Sequence, residues 1–229
     1  MLSLDDLRLS QGGFRLALSG RVDAGERLAL LGPSGSGKST LLSLIAGFDR
    51  PDAGRIIWEG QDITGFPVAS RPVSILFQDG NLFPHLSVFD NVALGRRSDL
   101  RLSAADRDVV ADSLRQVGLS DHAGKRPATL SGGQQARVAL ARMLLRDRPL
   151  ALLDEPFAAL DPGLKTEMLA LVRDLCSARG LTLLMACHDL RDAERLCDRL
   201  WLLEDGGKVL DVPIDGLRSR APERLAPWL

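Results

Sequence analysis

The stretch "GERLALLGPSGSGKSTLLSLIAG", Gly25 to Gly47, decides how the chain folds. Its opening part, Leu28 to Leu31, is an apolar run of the length of a buried strand. Its closing part, "STLLSLIAG", places apolar residues at helical spacing and is stopped by Gly47. Between them Gly32, Pro33, Ser34, Gly35, Ser36, Gly37, Lys38 and Ser39 match G-x-x-x-x-G-K-[ST], with Thr40 following. Small residues let the backbone wrap an anion with its N–H groups turned inward, and a helix starting near Gly37 adds partial positive charge there. Lys38 is expected to bridge the β- and γ-phosphates of a nucleotide, and the Ser39 hydroxyl to ligate Mg²⁺. A turn that only joins strand to helix is the alternative, but it has no use for Lys and Ser in that register.

The rest of the chain arranges itself around this unit. Leu2 to Leu18 alternates loosely and breaks at "QGG", as an antiparallel hairpin does. "GRIIWEG" and "RPVSILFQ" read as further strands. From Ser87 to about Arg148 the spacing turns helical. One helix starts at Ser87. A second, "SAADRDVVADSLRQVGL", places Val109, Val110, Leu114 and Val117 on one side. A third, "SGGQQARVALARMLLRD", has Val138, Leu140, Ala141, Leu144 and Leu145 as its buried stripe. Then "PLALLDE" and "LTLLMACH" read as strands, and "DPGLKTEMLALVRDLCSARG" and "DLRDAERLC" as helices. "RLWLLEDGGKVLD" reads as a hairpin turning at Asp205-Gly206-Gly207. The expected fold is α/β, a P-loop NTPase core with a mixed sheet, an N-terminal antiparallel β subdomain and an inserted α-helical subdomain. All of 1–229 forms one domain, with 1–86 and 149–229 as core and 87–148 as the helical insertion. The tail "RSRAPERLAPWL", with Pro222 and Pro227, is expected to be loosely packed.

Composition narrows the function. The 229 residues suffice for a sizeable core, and a net charge of -1 offers no basic excess to hold a nucleic-acid backbone. No apolar run is long enough to cross a bilayer, and Asp5 and Asp6 stand where a secretion signal carries basic residues. A cytoplasmic protein is expected. Cys176, Cys187 and Cys197 make neither an even framework nor a CxxC pair, which suits a reducing compartment. Cys187 beside His188 does not have the spacing of a zinc site.

A second anchor is "LALLDEP". An apolar strand delivers Asp154 at its C-terminal end, where ligands of open α/β sheets sit. Asp154 is expected to hold Mg²⁺, and Glu155, next along, to accept a proton from attacking water. A second anion-binding element, Ser131-Gly132-Gly133-Gln134, opens the third helix of the insertion. Ser131 as a plain N-cap is compatible with that role. Two anion loops on separate parts of one chain are reconciled most simply if they meet across a two-fold axis, each loop on the partner's nucleotide.

The P-loop, Gln78 after a strand, "LSGGQ", "LLDEP", "ALD" (Ala159 to Asp161) and His188 after a strand occur in that order. This order resembles the ABC transporter ATPases, and it covers nearly the whole chain. The resemblance implies that Gln78 contacts Mg²⁺ and the attacking water, that His188 hydrogen-bonds the γ-phosphate, and that Asp161 lies at the dimer interface. Asp161 before Pro162 also reads as a helix N-cap. Leu9 and Gln11 align where the family usually stacks adenine on an aromatic ring; Phe14 is the substitute at hand. Cys187 and Gln135-Ala136 are lesser departures.

Within the family, "LIAGF", "RPVSILFQDGNLFPHLSVFDNVALG" and "LDEPFAALDP" are similar to the ATP-binding subunits of bacterial thiamine importers. That resemblance implies ATP and Mg²⁺ as cofactors and a homodimer on two transmembrane permease subunits or halves. It implies a place at the cytoplasmic face of the inner membrane and a periplasmic solute-binding protein acting indirectly. The solute is expected to be thiamine or its phosphate, with iron(III), polyamine, sulfate and molybdate as alternatives. Leu82, Phe83, Pro84, Leu86, Val88 and Phe89 are candidates to meet a membrane partner, with Val88 and Phe89 better suited to the core. The chain ends soon after its last hairpin, without the extra domain of many sugar importers. A soluble translation or repair ATPase lacks support, because there is neither a second module nor an inserted coiled coil.

Overall fold

In the computed structural model, which describes residues 1–78, 80–219 and 222–229, the chain opens on β1 (Leu2–Gln11) and β2 (Phe14–Val22). They pair antiparallel across Gly12-Gly13 with Gln11 opposite Phe14. Next come β3 (Arg27–Leu31), α1 (Lys38–Ala46), β4 (Ala53–Trp58), the short β5 (Gln61–Asp62) and β6 (Val73–Leu76). Three helices follow: α2 (Val88–Ala93), α3 (Ala104–Gln116) and α4 (Gly132–Leu145). The chain closes with β7 (Leu150–Asp154), α5 (Pro162–Arg179), β8 (Thr182–Cys187), α6 (Leu190–Leu196), β9 (Arg199–Glu204) and β10 (Gly207–Pro213).

The strands form one mixed ten-stranded sheet in the order β5-β4-β1-β2-β10-β9-β3-β8-β7-β6. From β9 to β6 every neighbour is parallel. The N-terminal hairpin joins this half through a single parallel bridge, Gly207 to Ala17. Because side chains alternate along a strand, neighbours feed opposite faces. Leu31, Leu153 and Met185 enter a core shared with α5 and α6, whereas Leu30, Leu152 and Leu184 enter one shared with α1. A third core lies among α2, α3 and α4, built from Val88, Val92, Val110, Leu114, Val138 and Leu145. Helix α4 serves two of them: Leu140 and Leu144 face the sheet, and Val138, Ala141 and Leu145 face the helices.

Among the described residues, five of the six α-helices begin with a side-chain oxygen accepting a backbone N–H: Ser87, Ser103, Ser131, Asp161 and Asp189. Helix α1 does not; it begins at Gly37 with no side-chain cap. Its other end is held by Arg71, 1% exposed, whose guanidinium donates to the carbonyls of Leu44 and Ile45 at 2.6 and 2.8 Å. A buried cation there satisfies orphan carbonyls and the negative end of the helix dipole together.

Three local expectations change. Val109 is exposed while Val110, Leu114 and Val117 are buried; one residue is about 100° of helix, so Val109 turns away from the face its neighbour fills. The last hairpin turns on Asp205-Gly206 alone, both at positive φ, and Gly207 already belongs to the strand. The tail is anchored at one described position: Leu225 is buried in the sheet core, and Arg224 pairs with Glu204 at 2.9 Å. Arg220 and Ala221 of that tail lie outside the described residues, as does Asp79 beside Gln78.

Candidate functional site

The loop Gly32–Gly37 runs from the end of β3 into the uncapped start of α1. Gly32 sits at φ 154, and a Cβ there would collide with the backbone carbonyl of Leu203, so only glycine lets the loop pass. Lys38 is 5% exposed, and its Nζ donates to the carbonyls of Gly32 and Pro33 at 2.8 and 3.0 Å. The lysine thus rests on the loop it would leave to meet a phosphate. Ser34, Gly35, Gly37, Ser39, Thr40 and Glu155 line a cleft of about 400 Å³, with Gln11 and Phe14 on its wall. Ser36 is buried beneath, its Oγ without a partner.

The parallel register brings four strand ends together. Leu31 lies beside Cys187, Asp154 beside Ala186, and Leu76 beside Leu153. Asp154 therefore emerges next to the loop, where its Oδ1 accepts a hydrogen bond from Ser39 Oγ at 2.8 Å. Burial pushes the Asp154 carboxyl above its ordinary range, opposed by the Ser39 bond and by Lys38. Glu155 follows at φ 46, an uncommon conformation for a side-chain-bearing residue, and its N–H donates to Ala186 O at 3.2 Å. That twist turns its carboxylate toward His188, with Oε2 3.3 Å from Nδ1. Gln78 lies exposed just beyond β6. Cys187 is wholly buried, which pushes its thiol well up and leaves it a packing residue.

Ser131, Gly132, Gly133 and Gln134 stand apart from that cleft. Ser131 and Gln134 form a reciprocal capping box at the start of α4, and Gln134 Nε2 lies 3.1 Å from His122 Nε2. Gly133 packs so closely on Leu164 of α5 that a Cβ would overlap its side chain. Asp161 caps α5, accepting from Leu164 N–H at 3.0 Å.

The spacing of motifs missed the residues that hold the segment after Gln78. Arg142, in the last turn of α4, donates to the carbonyls of Gly80 and Asn81 at 2.6 and 2.9 Å. Asn91, fully buried in α2, accepts from Phe83 N–H at 2.8 Å and donates to the carbonyls of Phe83 and Ser87 at 3.0 and 2.9 Å. An asparagine amid the apolar positions of "VFDNVA" was the available signal. Of the candidate partner-facing residues, Phe83 and Pro84 are exposed and Leu82, Leu86 and Phe89 half-buried, while Val88 is in the core. Phe83 lines a groove of about 550 Å³ with Phe48, Phe77 and Arg142. Among the described residues no helix is long and apolar enough to cross a membrane.

The model of the ABC transporter family matches residues 16–158. The thiamine import ATP-binding protein ThiQ of Jannaschia sp. (strain CCS1) is 61% identical over the full length of both chains. That of Cereibacter sphaeroides is 50% identical over 100% of this chain and 99% of its own. That of Yersinia pseudotuberculosis is 47% identical over 96% and 95%. CbiO1 of Clostridium perfringens, part of the ABC transporter complex CbiONQ, superposes with a TM-score of 0.86 at 28% identity, over 95% of this chain and 90% of its own. The dimeric ATP-binding cassette MJ0796, in a post-hydrolysis state with ADP and Pi, gives 0.80 at 29% identity, over 93% and 99%.

Proposed function

Because the chain belongs to the ABC transporter family, we propose that it is the ATP-hydrolysing motor subunit of an importer, and that the imported solute is thiamine or its phosphate. The observation that carries the motor reading is the convergence of an uncapped helix start, the Ser39–Asp154 contact and the Glu155–His188 pair at the ends of adjacent parallel strands. The solute reading rests on the relatives named for thiamine import.

The loop from Gly32 to Gly37 binds the ATP phosphates through its N–H groups and the open end of α1. Lys38 turns from its two carbonyl partners to the β- and γ-phosphates. Ser39 and Asp154 are hard oxygen donors already in contact and would hold Mg²⁺, with the exposed Gln78 amide as a further ligand on the resemblance. When bound, Mg²⁺ supplies charge neutralisation on the β- and γ-phosphates. Glu155 takes the proton from attacking water, and His188, 3.3 Å away, holds that carboxylate in place and bonds the γ-phosphate.

Two copies sandwich two ATP molecules. Ser131–Gln134 of each chain meet the nucleotide held by the other chain's loop, with Asp161 at the interface. ATP then favours the closed pair and hydrolysis releases it. Residues 87–148 act as the helical subdomain on a core formed by 1–86 and 149–229. The exposed Phe83 and Pro84 meet two permease subunits or halves at the cytoplasmic face of the inner membrane, and a periplasmic binding protein delivers the solute to them.

Turnover and ATP-driven dimer formation of purified wild type and Glu155→Gln test the motor. The variant should bind ATP and accumulate as dimer while turnover falls at least about 100-fold. Wild-type turnover in the variant removes Glu155 as the base and this mechanism with it.

A further inference from the structure

The first turns of α5 and α6 are joined by an ion pair between the half-buried Lys165 and the buried Asp192 that the roles above leave unused. Lys165 Nζ lies 2.6 Å from Asp192 Oδ2, and the two side chains are only 17% and 7% exposed. Lys165 sits one turn after Asp161, donating its N–H to Asp161 O at 2.9 Å. Asp192 sits in the first turn after Asp189, donating its N–H to Asp189 O at 3.1 Å. Asp161 and Asp189 are the N-caps of the two helices, and His188 directly precedes the second cap. Lys165 and Asp192 also line one small cavity, about 20 Å³, with Glu155 and His188. A buried pair is poor evidence of stabilisation, because desolvation opposes the attraction, so its placement asks for another explanation.

We propose that Lys165 and Asp192 are positioning residues: their ion pair fixes the start of α5 against the start of α6, and so sets His188 and Glu155 according to where Asp161 lies. This rests on the motor reading above. Asp161 belongs to the face that meets the second copy, and Lys165 is bonded to its carbonyl. Any shift of that first turn is carried through Lys165 and Asp192 to the turn that presents His188. A flexible side-chain contact would absorb such a shift. A short charge-paired contact transmits it, since separating the charges leaves the buried Asp192 carboxylate without its partner. The pair thereby makes hydrolysis depend on closure of the dimer, while neither residue touches ATP.

The test separates positioning from fold. Lys165→Met alone leaves a buried unpaired carboxylate and is expected to lower stability, so the decisive protein is the double variant Lys165→Met with Asp192→Leu, which replaces both charges by apolar groups of similar volume. ATP affinity, maximal turnover, and ATP-driven dimer formation in a Glu155→Gln background are measured for wild type, the double variant and Lys165→Arg. The double variant should fold, bind ATP within about threefold of wild type and dimerise, yet lose about 10- to 100-fold in kcat. Lys165→Arg, which keeps the pair, should keep kcat within about threefold. A folded double variant with wild-type kcat overturns the inference and leaves the motor reading standing. A Lys165→Arg protein that is folded but as impaired as the double variant also overturns it. Absence of ATP hydrolysis by the wild type overturns the motor reading and this inference together.

Discussion

Asn91→Ala should lower the stability of the protein by about 3 kcal/mol, and the figure follows from its surroundings. The side chain is 0% exposed and makes three well-formed hydrogen bonds, at 2.8, 2.9 and 3.0 Å, to the backbone of Phe83 and Ser87. Each such bond contributes about 1 kcal/mol net. A fourth contact, 3.4 Å to Leu86 O, is too long to add much. Alanine supplies none of these and leaves the bonds from Arg142 to Gly80 and Asn81 without that support. Urea unfolding followed by circular dichroism reads the change: at a slope of about 2.5 kcal/mol per molar, the midpoint should fall by about 1 M with the slope unchanged. Asn91→Asp should be no better at neutral pH. Its oxygen can still accept from Phe83 N–H, but the other oxygen faces two carbonyls and must take up a proton to bond them. The folded state then binds a proton that the unfolded state does not, so the Asp variant should recover stability as pH falls. The same segment carries the exposed Phe83 and Pro84, so if they meet the membrane partner as proposed, solute uptake should fall further than ATP turnover. A midpoint within about 0.2 M of wild type in the alanine variant refutes the reasoning, since the backbone groups would then find other partners without help from Asn91.

Asp154→Asn should stabilise the nucleotide-free protein while abolishing turnover. Burial raises the folded-state affinity of this carboxyl for protons above its unfolded value, so the penalty is full above the folded pKa, shrinks as pH falls through it, and is gone below the unfolded pKa. The gain in Tm should be present at neutral pH and fade in acid; equal Tm values at both would refute it. Phe14→Ala removes a ring from the wall of the cleft beside the Gly32–Gly37 loop; if the base stacks there, KM for ATP should rise about 10-fold with kcat held, the worth of one base–aromatic stack, and an unchanged KM assigns the base elsewhere. Gly32→Ala drives a methyl into the Leu203 carbonyl and should cost about 2 kcal/mol or more by thermal unfolding and weaken ATP binding; a protein of wild-type Tm would show that the loop can move aside.

The parts of the molecule that were legible in the sequence are those where local chemistry and position coincide. The loop from Gly32 to Ser39 needs glycines, lysine and serine in one register, and strand and helix flank it as the pattern requires. The apolar runs ending at Leu31, Asp154 and Cys187 became parallel strands whose ends meet. Less was legible where distant segments make the contact. Nothing local announces that Gly207 bridges to Ala17 and fuses the N-terminal hairpin into one sheet. Nor does spacing reveal that Lys165 pairs with Asp192, or that Arg142 reaches back to Gly80, since each pairing depends on how helices pack on a sheet. Val109 failed for a simpler reason: adjacent valines cannot share a narrow helical stripe. In the tail the prolines suggest a loose end, and the anchor at Leu225 was not legible because it depends on a distant core.

The central claim, that ATP hydrolysis by this chain drives thiamine import, is tested most directly by uptake of labelled thiamine in cells whose only copy carries Glu155→Gln, present at the wild-type level. The account predicts that uptake collapses although the variant still binds ATP. Uptake at the wild-type rate would contradict it.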